Sequence, residues 1–138
     1  MIYQEPFVYR DQQGQPLMGG TAIEDRTTLV HHQGIIAYRD DVQIVLESSL
    51  RHGGAVEIPA IEFNGGKIVS IVRTPRSPAA ADVIVQRAWG DVQRGVKWSL
   101  LNNCQDFVSR AYEGKNGSKT RDIVVVGGLA AAALIALS

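Results

Sequence analysis

A chain of 138 residues has room for one domain and little more, and 45% apolar with 20% charged residues is enough to bury an ordinary core. Fourteen Lys and Arg balance fourteen Asp and Glu with no basic block, which argues against an electrostatic grip on nucleic acid. The single cysteine, Cys104, excludes an internal disulfide and any paired-thiolate metal centre, calls for no metal or cofactor, and suits a reducing compartment. Residues 1–6 lack the basic start and apolar core of a signal peptide, so export by that route is not expected.

Residues 1–20 begin with an apolar patch, Phe7-Val8-Tyr9, and continue through Asp11, Gly14, Pro16, Gly19 and Gly20, which reads as an extended arm or short strand and then loop. Residues 29–38 alternate as a strand, with Val30, His32, Gly34, Ile36 and Tyr38 on one face and His31, Gln33, Ile35 and Ala37 on the other. Arg39-Asp40-Asp41 fits a tight hairpin loop and residues 42–46 the return strand. Residues 55–61 and 67–73, separated by Asn64-Gly65-Gly66, read as two more strands joined as a hairpin. Ser77-Pro78 then has the form of a helix N-cap with proline at the first helical position. Ala81, Ile84, Val85, Ala88 and Val92 recur at helical spacing up to Gly95, with Gly90 weakening the second half. A second helix follows, capped by Asn103 and closed by Gly114, with Cys104, Phe107, Val108 and Ala111 as one stripe. Strands first and helices later predict an α+β domain with a largely antiparallel sheet packed against helices.

Residues 115–122 are a polar linker by composition, and residues 123–137 carry no charge. As a helix the latter would be about 22 Å long, against a bilayer core of roughly 30 Å. The segment reads either as a buried terminal element or as a short membrane anchor. Lys115, Lys119 and Arg121 favour the anchor and a cytoplasmic face for the domain.

Cys104 in an apolar helical stripe has an ordinary reading as a small buried hydrophobe. Its place in a first helical turn, directly after Asn102-Asn103, also suits a thiolate, and the free N–H groups there suit an oxyanion. His32 is ordinarily structural, yet Gly34 on the same face leaves room for a substrate or a helix, and a base distant in sequence is no obstacle.

These residues together resemble the lecithin:retinol acyltransferase-like family. His32-Gln33-Gly34-Ile35 is similar to its His-x-Gly-Ile strand, and Leu100-Leu101-Asn102-Asn103-Cys104-Gln105-Asp106-Phe107-Val108 to its Asn-Cys-Glu-His-Phe segment. The likeness runs through Arg87-Ala88 and residues 95–99, so it covers roughly residues 19–114 of a catalytic domain at 1–114. A His strand early and a Cys helix late is the order of the circularly permuted, NlpC-like branch of papain-type enzymes.

The resemblance implies that Cys104 attacks an ester or amide carbonyl to give a thioester, with His32 moving the proton and Asn103 supporting orientation or the oxyanion. The family's Glu-His is replaced by Gln105-Asp106, and the further His that the animal acyltransferases carry on the next strand is missing. Glu47 can stand in as the acceptor of the His32 N–H, or can be a solvated strand-end charge. Gln43 and His52 are weaker candidates, and His31 is the fallback base. The implied substrate is a lipid or other acylated compound met at a membrane surface. A cysteine peptidase or amidase of the same fold is the alternative. A non-catalytic, membrane-tethered binding module is the third reading.

Overall fold

A computed structural model describes residues 6–27, 31–99 and 103–115; residues 29 and 30 of the expected strand, residues 116–122 of the linker and the tail at 123–137 lie outside them. Among the described residues the chain is α+β, a five-stranded antiparallel sheet packed against two helices. The strands are β1 (Ala22–Asp25), β2 (His32–Arg39), β3 (Val42–Ser49), β4 (Gly54–Pro59) and β5 (Ser70–Arg73). The helices are α1 (Pro78–Arg94) and α2 (Cys104–Glu113).

β2 and β3 form the expected hairpin, in register from Ile35 opposite Leu46 to Arg39 opposite Val42. Asp40 and Asp41 make its turn with φ of 51° and 64°, the left-handed pair that a two-residue loop requires. Both helices have the expected ends. The Ser77 side chain accepts from the Ala80 N–H, and Gly95 and Gly114 end α1 and α2 in the left-handed conformation. Gly90 does not interrupt α1, which runs seventeen residues because Ala81, Ile84 and Ala88 are buried on the sheet.

One expectation is corrected, and one strand is added. The strands after Gly53 do not pair with each other: the order β4-β3-β2-β1-β5 puts β4 and β5 at opposite edges of the sheet. Pro59 ends β4, a 3-10 turn follows at Ala60–Glu62, and the chain crosses beneath the sheet before β5 joins β1. β1 itself was not expected, since it lies between the loop that ends at residue 20 and the strand expected from residue 29. All four of its residues are buried, so Ala-Ile-Glu-Asp carries no polar–apolar alternation to mark it.

The sheet has a core on each face. Ala22, Ile35, Ala37, Ile44 and Leu46 pack against Ile84, Ala88, Phe107, Val108 and Ala111 of the helices. Ile23, Ile36, Val45 and Ile58 are covered on the other face by Tyr9 and Leu17 of the N-terminal arm and by Phe63 of the crossover. Gln43 holds that arm in place, accepting from the Tyr9 N–H at 2.7 Å and donating to the Tyr9 carbonyl at 3.1 Å.

Candidate active site

Asn103 builds the start of α2. Its side-chain oxygen accepts from the Gln105 and Asp106 N–H groups, each at 3.0 Å, while the buried Asp106 carboxylate accepts from the Asn103 N–H at 3.3 Å. This capping box satisfies amides that a helix otherwise leaves without partners. The Asn103 side-chain oxygen is thereby committed to the cap and sets where Cys104 begins the helix. Those bonds and the one from the Phe107 N–H to the Asn103 carbonyl do not engage the Cys104 N–H.

Cys104 is buried, and its thiol points toward the His31 carbonyl oxygen at 3.9 Å. Its side chain also interacts electrostatically with His32, the first residue of β2. On the other side the His32 Nε2 pairs with Oε2 of Glu47 from β3. The solvated strand-end alternative for Glu47 is excluded, because its side chain has no solvent exposure and it lies within the strand. Cys104, His32 and Glu47 thus form one connected chain of side chains drawn from α2, β2 and β3.

Burial opposes a charge on His32, but hydrogen bonds and charge interactions with Cys104 and Glu47 outweigh it and push the imidazole up to about 10. The ring lies against Phe63, with centroids 5.0 Å apart and planes inclined at 23°. Phe63 has no counterpart in the sequence reading. It comes from the crossover, and a contact between residues so far apart in sequence leaves no local pattern. Asp106 was visible only as a first-turn acid, and its place in the cap gives it its role.

The remaining candidates are placed elsewhere. His31, the fallback base, turns away to the opposite face, where its Nδ1 meets Glu24 Oε1 at 2.6 Å. Gln43 is committed to the N-terminal arm. His52 Nε2 lies 3.5 Å from Glu47 Oε1, behind the carboxylate rather than beside the sulfur. The room expected at Gly34 is already filled. A Cβ there would lie 2.7 Å from Val45 Cγ1 and 2.9 Å from Phe63 Cε1, so glycine serves the packing of Phe63 rather than an incoming ligand.

A shallow groove of about 360 Å³ runs between Met18, Tyr38 and the Ala81 and Val85 side of α1. Tyr38 is six residues along β2 from His32, about 20 Å away, so the groove is separate from the Cys104 chain of contacts. Among the described residues no cluster of His, Cys, Asp and Glu is arranged to hold a metal ion. Comparison with family models, curated proteins and solved structures finds no match to this chain, and the family resemblance rests on its two motifs and their order.

Proposed function

We propose that the protein is a cysteine-dependent acyltransferase or hydrolase of the lecithin:retinol acyltransferase-like type, acting on lipid ester or amide acyl groups. The observation that carries this reading is the Cys104–His32–Glu47 chain, in which a thiol at a helix N-terminus meets an imidazole backed by a fully buried carboxylate. The thiol, the proton acceptor and the group that orients it are the parts that nucleophilic acyl transfer needs. With Nε2 held by Glu47, the other ring nitrogen serves the sulfur.

In this mechanism His32 carries the thiol proton as imidazolium and the sulfur attacks the carbonyl carbon. The developing oxyanion is met by the Cys104 N–H at the positive end of α2. Collapse breaks the bond to the leaving alcohol or amine, which takes its proton from His32, and a thioester remains. Water or an acyl acceptor then attacks the thioester, giving its proton to His32 and returning the thiol. The order of the His strand and the Cys helix supports a circularly permuted, NlpC-like papain-type domain as the finer description of the fold. The uncharged tail at 123–137 supports a membrane-bound setting with the domain on the cytoplasmic side. Among the described residues no helix is long and apolar enough to cross a membrane.

The test is to trap the acyl-enzyme. The full chain is treated with a short-chain phosphatidylcholine or a nitrophenyl ester, quenched in acid and analysed by mass spectrometry. The expected product is one acyl group on Cys104, released by hydroxylamine and missing in Cys104→Ser. An adduct with activated peptide amides but not with either ester favours the peptidase reading. No adduct with any of them favours the binding module.

A further inference from the structure

Glu47 is fully buried, yet its two oxygens are treated differently. Oε2 pairs with His32, whereas Oε1 accepts no hydrogen bond among the described residues. A buried carboxylate oxygen left in that state is costly unless charge is close by. Two residues from the turn after β3 approach it: Arg51 Nη2 at 3.7 Å and His52 Nε2 at 3.5 Å.

The same Arg51 nitrogen donates to His52 Nε2 at 3.2 Å and to the Glu62 carbonyl at 3.3 Å. An imidazole nitrogen that accepts from a guanidinium carries no proton itself, so the positive charge facing Oε1 is that of Arg51. His52 and the Glu62 carbonyl fix where that charge sits. Although the Arg51 side chain is 63% exposed, its tip is held by these contacts.

We propose that Arg51, steadied by His52, is a positioning residue that draws part of the Glu47 charge to Oε1 and so limits how strongly Glu47 holds the proton of His32. The role matters because the imidazolium must both form and give up its proton in one cycle, and a carboxylate with no second partner would retain it. Arg51 touches neither sulfur nor substrate and acts through Glu47 alone. The charged and titratable groups around Glu47 are His32 from β2, Cys104 from α2 through His32, Tyr9 from the N-terminal arm, and Arg51 and His52 from the turn. Of these, Arg51 is the fixed cation on the side away from His32. The inference deepens the acyl-transfer reading and rests on it for its catalytic meaning, but the coupling itself is measurable without turnover.

The experiment follows the His32 ring by NMR in the full chain as pH is raised, with Arg51→Ala, Arg51→Lys and His52→Ala beside the parent protein. Arg51→Ala is expected to raise the His32 midpoint by about half a pH unit, the scale of one exposed charge near a buried pair. His52→Ala gives a smaller rise, and Arg51→Lys restores the parent value. The pH profile of Cys104 alkylation moves in the same direction. Arg51→Gln provides the neutral variant should the alanine protein not fold. A His32 midpoint that is unchanged or lower without Arg51 overturns the proposal. A Cys104 that forms no acyl adduct while the midpoint still shifts overturns the enzyme reading and leaves the coupling in place.

Discussion

Phe63 and His32 are stacked, 31 positions apart in the chain, with ring centroids 5.0 Å apart and planes 23° from parallel. Phe63 is itself held edge-on by Tyr9 at 6.3 Å, so the imidazole leans on a buried aromatic wall rather than on solvent. Phe63→Ala is expected to cost about 3 to 5 kcal/mol of stability, the usual range for emptying a buried phenylalanine site. In Phe63→Leu, which keeps most of the volume, the fold should survive while the His32 ring gains mobility and Cys104 alkylates more slowly. Denaturant unfolding and iodoacetamide kinetics on the two variants separate these effects.

Cys104 should react with iodoacetamide at pH 7 faster than a free thiol such as glutathione. The physical ground is the neighbouring imidazole, which holds its proton up to about pH 10 and so leaves a charged partner for the sulfur. His32→Ala and Glu47→Gln should both slow the reaction, the first more than the second. Rates equal to glutathione in all three proteins would return Cys104 to the role of a buried hydrophobe.

Stability should decline on the alkaline side. His32 rises from its ordinary 6.5 to about 10 in the folded protein, because its hydrogen bonds and charge interactions with Cys104 and Glu47 outweigh the opposing effect of burial. A base whose folded value exceeds its unfolded one adds stability that is complete below about pH 6.5 and is lost as pH climbs through about 10. Urea titrations at pH 6, 8 and 10 should therefore show a falling unfolding free energy, with the slope reduced in His32→Gln. A parent protein as stable at pH 10 as at pH 6 contradicts the assignment.

Asn103→Ala removes the acceptor shared by two first-turn amides and is expected to cost about 1 to 2 kcal/mol. Because Cys104 is the next residue, the same change should lower its alkylation rate. Asn103→Ser, which can still cap, should recover both quantities. Stability recovered without reactivity would mean that the asparagine does more than set the helix start.

Residues 123–137 should take the full chain into the membrane fraction, and deletion after Asp122 should leave a soluble domain that still alkylates at Cys104. Fifteen uncharged residues gain transfer free energy in lipid, and a short helix is accommodated by bilayer thinning and by Lys119 and Arg121 reaching the interface. An insoluble, unfolded truncation would assign the tail to the core instead.

The helices were legible because each end is written locally. Ser77-Pro78, Asn103 with Asp106, Gly95 and Gly114 act within a few residues of where they stand. The β2–β3 hairpin was legible for the same reason, through Asp40 and Asp41. What failed was non-local. Gly65 and Gly66 do turn the chain, both at positive φ, but a turn does not say which strand comes next in the sheet. β1 escaped notice because burial on both faces removes alternation, and its Glu24 and Asp25 look like loop residues. In the candidate site, His32 and Cys104 were singled out by motif, and Glu47 was named without a way to tell a buried carboxylate from a solvated one. Phe63 and Arg51 depend on packing that no spacing encodes.

The strand order also sets a sequence of events for a chain emerging from the ribosome. β2, β3 and β4 pair with neighbours in sequence and are available early, so His32 and the buried Glu47 are brought face to face while α2 is still unsynthesised. β1 has one open flank until β5 arrives from across the sheet, and the sulfur joins only with α2. In the nascent chain His32 and Glu47 are therefore neighbours before Cys104 can reach them on α2.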